Sequence, residues 1–230
     1  MMFCLCKHHT RGFMKNLLMK EFKLATPVIT YLFIGFSLMT FIPGYPILCG
    51  AFFVCLGIFQ GYQINRDSND ILYSVLLPVS KSDIVKSKYL AAAVLQMVAF
   101  ILCTTFTFVR MIVFPHAVVY EDNVLMAANF IYLSFVLLIF ACFNAIFIGG
   151  FFKTAYGIGK PFILFIVVNF SIIAVAEALH YIPGLEWMNV LDFDFMAEQV
   201  MSLVMAVGVY VAVTVISCRV SCLRFEKIDL

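Results

Sequence analysis

Glu177 and His180 stand three residues apart near the end of an apolar stretch, and an E-x-x-H pair on one helical face can hold a metal ion. A complete site needs a second histidine pair or a carboxylate at the same depth, and the chain supplies carboxylates only in the loop that follows. The pair therefore reads as the polar end of a helix. Cys4, Cys6, Cys218 and Cys222 offer four thiols, enough for structural zinc, but neither pair has C-x2-C spacing. Cys49, Cys55, Cys103 and Cys142 lie inside apolar runs, where cysteine acts as a small hydrophobe. Arg110 follows "TTFTFV" near the end of another such run and is expected to snorkel or to meet a carboxylate. His8, His9 and His116 fall in the N-terminal segment or a loop. The stretch "GIGKP" approaches a phosphate loop, since Gly159 and Lys160 fit, but Thr154 stands where the first glycine belongs and Pro161 where the hydroxyl belongs. It reads as a turn. Ser37, Gln96, Thr104, Thr105, Ser134, Asn144 and Asn169 interrupt the apolar runs and suit helix packing with weak hydrogen bonds. No nucleophile and base can be assembled, so no catalytic residue, cofactor site or metal site is expected in this chain.

The elements that carry these groups must be membrane helices. Of 230 residues, 64% are hydrophobic and only 12% charged, with a mean hydropathy of +1.04, which leaves too little polarity to cover a water-facing globule of this size. Several runs reach the roughly 20 residues that a helix needs to cross about 30 Å of hydrocarbon, and no alternating strands mark a barrel. The expected fold class is an all-α integral membrane protein, one transmembrane domain over residues 1–230 with six transmembrane helices near 24–42, 47–62, 89–114, 124–152, 161–178 and 199–218. The first two are joined by "IPGYP", a turn that ends one helix at Pro43 and starts the next near Pro46. The opening "MMFCLCKHHTRG" lacks the apolar core of a cleavable signal, so the first spanning helix is expected to remain in the mature protein.

Orientation follows from the basic residues, which resist translocation. With six spans, every lysine and arginine except Arg110 falls on one side, and the other side carries Glu121, Asp122, Glu186, Asp192, Asp194 and Glu198. Both termini are thus expected in the cytoplasm. Residues 13–25 place Met14, Leu17, Leu18, Phe22 and Ala25 on one helical face and Lys15, Asn16, Lys20 and Lys23 on the other, the pattern of an interfacial helix lying in the headgroup layer. Glu21 falls within the apolar arc, where it snorkels or pairs with a neighbouring lysine. Residues 179–198 alternate aromatic and acidic side chains, including Tyr181, Trp187, Phe193 and Phe195, and are expected to form a short helical or re-entrant element at the outer surface.

The longest cytoplasmic loop, residues 64–88, is the most informative. Asp67 or Ser68 can cap a short helix in which Ile71, Leu72, Val75 and Leu76 make one apolar face; Pro78 breaks the chain; Ser80 and Asp83 form an S-x-x-D capping box that starts a second helix. An amphipathic helix lying on lipid accounts for this pattern, and so does a docking helix that inserts into a groove on a cytosolic protein.

The stretch "SNDILYSVLLPVSKSDIVKSKYL" resembles the cytosolic loop of the permease subunits of type-2 ATP-binding cassette exporters, in particular the small bacterial six-helix permeases, and "NLLMKEFKL" is similar to their elbow helix. Lys81 stands where arginine is common in that loop and keeps the charge. The resemblance implies a permease subunit, not an enzyme. A second, identical or similar permease subunit and a separate cytosolic ATPase that binds ATP and Mg would be its partners, in the bacterial plasma membrane and with no nucleic acid. It also implies that residues 68–77 form the coupling helix, with Ser68, Asn69, Asp70, Ile71, Leu72, Tyr73, Val75 and Leu76 at the ATPase contact and Pro78, Ser80 and Asp83 as turn and cap. Relatives of this kind export amphipathic or antimicrobial peptides and other hydrophobic cargo. The rival expectation is a stand-alone membrane protein, such as an intramembrane enzyme or a toxin-immunity protein.

Overall fold

A computed structural model describes residues 14–114, 125–154, 157–179, 181–190 and 195–228, without the side chain of Glu186. All regular structure among them is helical. Helix α1, Met14–Ala25, turns Leu17, Glu21 and Ala25 inward and widens over Glu21–Ala25 into a π-turn. It stops because Pro27 forces the residue before it into extended backbone, which Thr26 adopts with φ −101° and ψ 107°. The chain bends there by 89° into α2, Val28–Phe41.

The first seven residues of α2 are α-helical and the next seven are a 3₁₀-helix, Gly35–Phe41. A period of three puts Ile34, Ser37 and Thr40 on one buried line, and the greater rise stretches α2 to about 25 Å. Helix α3, Cys49–Asp67, returns beside it. Two glycines allow the approach: an added Cβ at Gly57 would lie 2.6 Å from Phe33 Cβ, and one at Gly50 would lie 2.9 Å from the Phe36 carbonyl oxygen. Thr30 Oγ1 donates to the Gly57 carbonyl at 2.7 Å across this contact.

The remaining helices are α4 (Asp70–Leu76), α5 (Lys81–Val113), α6 (Phe130–Thr154, with a π-helical stretch at Phe143–Ile148), α7 (Gly159–Leu179) and α8 (Met196–Glu226). Four of them, α5 to α8, are long and apolar enough to cross a membrane, and α1 with α2 makes a fifth only if the bent pair is counted together. Helix α3 has the length, 19 residues, but Gln60, Gln63, Asn65 and Arg66 make its last turns polar. The segment expected at 24–42 is thus divided by the Thr26–Pro27 bend, and the one expected at 124–152 becomes helical only from Phe130, where the Asn129 side chain caps by accepting from the Tyr132 amide at 3.1 Å.

Helix α6 is apolar on every side because α3, α5, α7 and α8 enclose it. Its central window is 67% buried against 6% for α8, so α6 is the core and α8 the periphery. Phenylalanine fills the space around it: Phe140, Phe143, Phe147, Phe151, Phe152, Phe165 and Phe225 are fully buried. Phe59 stacks on Phe162 at 3.6 Å, and Phe147 meets both rings edge-on at 5.3 and 5.7 Å. Between membrane helices such contacts hold by dispersion and shape, since lipid tails are as apolar as the side chains.

Candidate functional site

The loop that interrupts the apolar sequence forms a compact corner at the basic end of the bundle. Helix α3 closes with Ser68, whose Oγ donates to the Asn65 carbonyl at 3.3 Å and whose amide donates to Ile64 at 2.9 Å. Asp67 pairs with Arg66 at 3.1 Å. Neither caps α4, contrary to the expectation from sequence. The position before α4 is Asn69, left-handed at φ 53° and without a side-chain cap bond. Asparagine tolerates that conformation, and it breaks the helix between α3 and α4 within two residues.

The seven residues of α4 divide by face. Ile71 is 3% exposed and Ser74 is buried, Val75 is half-buried, and Leu72 (40%), Tyr73 (66%) and Leu76 (75%) point away from the protein. The sequence-based face of Ile71, Leu72, Val75 and Leu76 is therefore split: Ile71 belongs to the core, and the free apolar side is Leu72, Tyr73 and Leu76, continued by Leu77. A helix side that meets the bundle every third or fourth residue takes Ile71 and Ser74 together, which leaves the other positions outward. Leu77 is extended, as a residue before proline must be, and Pro78 ends the helix. Ser80 Oγ then accepts from the Asp83 amide at 3.1 Å and starts α5, while Asp83 takes the Lys86 ammonium at 3.3 Å.

Behind α4 lies a cluster of four charges, of which Glu21 and Lys88 are buried and Lys20 and Asp70 partly so. Lys88 of α5 is 2% exposed and donates to both carboxylate oxygens of Glu21 on α1, at 3.2 and 3.0 Å, and to Asp70 on α4 at 2.9 Å. Lys20 of α1 pairs with the other Asp70 oxygen, lies 3.7 Å from Glu21 and donates to Ser74 Oγ at 2.6 Å. Two ammonium groups and two carboxylates balance, which is the condition for keeping charge away from water. Burial pushes the Asp70 carboxyl upward, but the ammonium groups of Lys88 and Lys20 outweigh it and hold the group below its usual range. The Tyr62 ring lies 5.9 Å from Lys88 Nζ. A cavity of about 30 Å³ beside Tyr62, Asn65 and Lys88 has room for a water to meet the Tyr62 hydroxyl, which no described protein group does. Glu21 signalled this cluster in the sequence, as a carboxylate on an apolar arc. Its main partner, 67 residues away, had no local signal.

A second polar network crosses the middle of the bundle at the π-helical stretch of α6. The Gln96 and Asn144 amides bond reciprocally at 2.9 and 3.0 Å, Asn144 also donates to Thr214 at 3.0 Å, and the Tyr210 hydroxyl donates to Gln96 Oε1 at 2.9 Å. Tyr89 binds the hydroxyls of Ser217 and Ser221 at 2.7 and 2.9 Å, and Ser217 donates to the Asn144 carbonyl at 3.0 Å. The far end is tied differently. Arg110 is buried, not snorkelled, and donates to the Thr40 carbonyl at 2.9 Å. Gln199 and Asn129 donate to carbonyls of Trp187, Met188 and Val190, in and just after the short 3₁₀ turn Glu186–Asn189.

The other sequence candidates do not assemble into chemistry among the described residues. Glu177 Oε2 accepts the Met126 amide at 2.7 Å, and His180 lies outside the described residues, as do Cys4, Cys6, His8, His9 and His116. Cys218 and Cys222 are free thiols one turn apart on α8. No group of three or more metal-ligating side chains occurs among the described residues. A family model described as ABC-2 family transporter protein matches residues 16–226. No curated protein and no solved structure matches the chain.

Proposed function

The chain belongs to the ABC-2 transporter family, and on that premise we propose that it is the membrane-spanning permease of an exporter whose ATP hydrolysis takes place on a separate cytosolic subunit. It is a multi-pass membrane protein with apolar helices. In this reading α4 is the coupling helix, and Leu72, Tyr73, Leu76 and Leu77 enter a groove on the ATPase. The observation that carries it is the division of α4: one side is fixed by Asp70, Ile71 and Ser74, and the other presents apolar side chains to the outside of the bundle. A docking helix needs such a pair of faces.

The finer parts of the proposal follow from the same frame. Helices α2 and α3, about 25 and 28 Å long, cross the membrane as a hairpin, giving six spans with both termini cytoplasmic in a bacterial plasma membrane. Two permease subunits pair around the cargo path. Ionisable groups are sparse in the apolar stretches, which favours an amphipathic or antimicrobial peptide, or another hydrophobic cargo, over a bare ion.

The test is co-expression with candidate ABC ATPases from the same genome, followed by affinity capture. Wild-type chain recovers the ATPase, and Leu72→Asp with Tyr73→Asp abolishes recovery while leaving the permease in the membrane. Capture unaffected by these substitutions rejects α4 as the contact. A wild-type chain that recovers no ATPase turns the reading toward a stand-alone membrane protein.

A further inference from the structure

Helix α4 has little to hold it in place by itself. Its seven residues are fewer than the roughly 12 that an isolated helix needs to persist in water. It enters through a left-handed residue without a side-chain cap, leaves through an extended residue before Pro78, and buries only Ile71 and Ser74. Joined to α5 at Pro78 alone, it would pivot.

We infer that Glu21 and Lys88 are positioning residues for α4, fastening it through Asp70 to the elbow helix and to the first turns of α5, so that these elements move as one body. The inference rests on the reading of α4 as the ATPase contact and adds a role for α1. Lys88 is two turns into α5, so its bond to Asp70 at 2.9 Å is a second attachment of α4 to that helix and removes the pivot. Lys20 supplies the matching attachment on α1, through Asp70 and through Ser74 at 2.6 Å. Glu21 balances the two lysines, and without it the buried Lys88 and the partly buried Lys20 face the single carboxylate of Asp70. Helix α1 stands at 89° to α2 across the Thr26–Pro27 bend and packs Leu17 and Ala25 inward, and these polar bonds are what tie it to α4. A push on α4 is delivered to α5 at two points and to α1 at a third.

The test is hydrogen exchange on the purified full chain in lipid nanodiscs, with no ATPase present, so that it fails or succeeds independently of ATPase capture. Glu21→Gln and Lys88→Met each raise exchange of the α4 amides by at least about tenfold while α6 keeps its native protection. Lys88→Arg, which keeps the charge and can reach both carboxylates, stays within a few-fold of native. Exchange that rises in α1 while α4 keeps its native protection overturns the inference, because the cluster would then anchor the elbow alone. So does a Lys88→Arg chain that behaves like Lys88→Met, since charge would not be what holds α4. If Lys88→Met fails to accumulate, Glu21→Gln decides the matter by the same readout.

Discussion

Gly57 shows how one residue sets the spacing of two helices. A methyl group there would lie 2.6 Å from Phe33 Cβ and 3.3 Å from the Thr30 Cα, so α2 and α3 would have to separate and lengthen the Thr30 to Gly57 hydrogen bond of 2.7 Å. Gly57→Ala is expected to destabilise the protein by about 1–3 kcal/mol, read as a lower thermal midpoint in detergent. Gly35, which has no atom within 4 Å of an added Cβ, is the control: Gly35→Ala should leave the midpoint within about 0.5 kcal/mol of native or raise it. Equal losses at both positions would show that close approach is not what Gly57 provides. Lys88 makes the same point for charge, since a lysine sits 2% exposed only because two carboxylates meet it.

Among the elements, α8 combines apolar packing, with Phe225 buried edge-on against Phe152, and a line of polar contacts. Its apolar residues mostly face outward, and it joins the bundle through Tyr210, Thr214, Ser217 and Ser221, a three- and four-residue spacing that forms one seam. The seam meets α5 and α6 where α6 winds wider, and the Asn144 amide is its centre. Asn144→Leu leaves the Gln96 NH2 without its acceptor, and Gln96→Leu leaves the Asn144 side-chain oxygen without its donor, so each substitution alone costs more than its share of the double. The expected coupling between them is about 0.5–2 kcal/mol, a range kept modest because side chains in a membrane find substitute partners. A double-mutant cycle on detergent-solubilised protein checks it, and additive losses would remove the network as a source of α8 docking.

For the whole molecule, the number of crossings turns on α2 and α3, which are shorter or more polar than the four long helices. A phosphatase active only outside the cytoplasm, fused after Gly44, His116 or Gly184, is expected to be active, and fused after Ser80, Gly157 or Lys227 to be inactive. Equal activity at Gly44 and Ser80 would reduce the hairpin to a surface element. The sequence by itself determined the helical membrane class, the ends of α7 and the C-terminal end of α5 to within a few residues, the break at Pro78 and the start of α5 at Ser80, because length, apolarity and backbone chemistry are local properties; α8 begins near its expected start but runs on to Glu226, past the apolar run expected to end near 218. The sequence placed the cap of α4 wrongly at Asp67 or Ser68, since a left-handed asparagine has no periodic signature. Only the tertiary structure decided that Ile71 faces inward, that α6 is the core, and that Glu21, Asp70 and Lys88 meet. Partners so far apart in the chain are chosen by how the helices pack, which no local pattern of residues encodes.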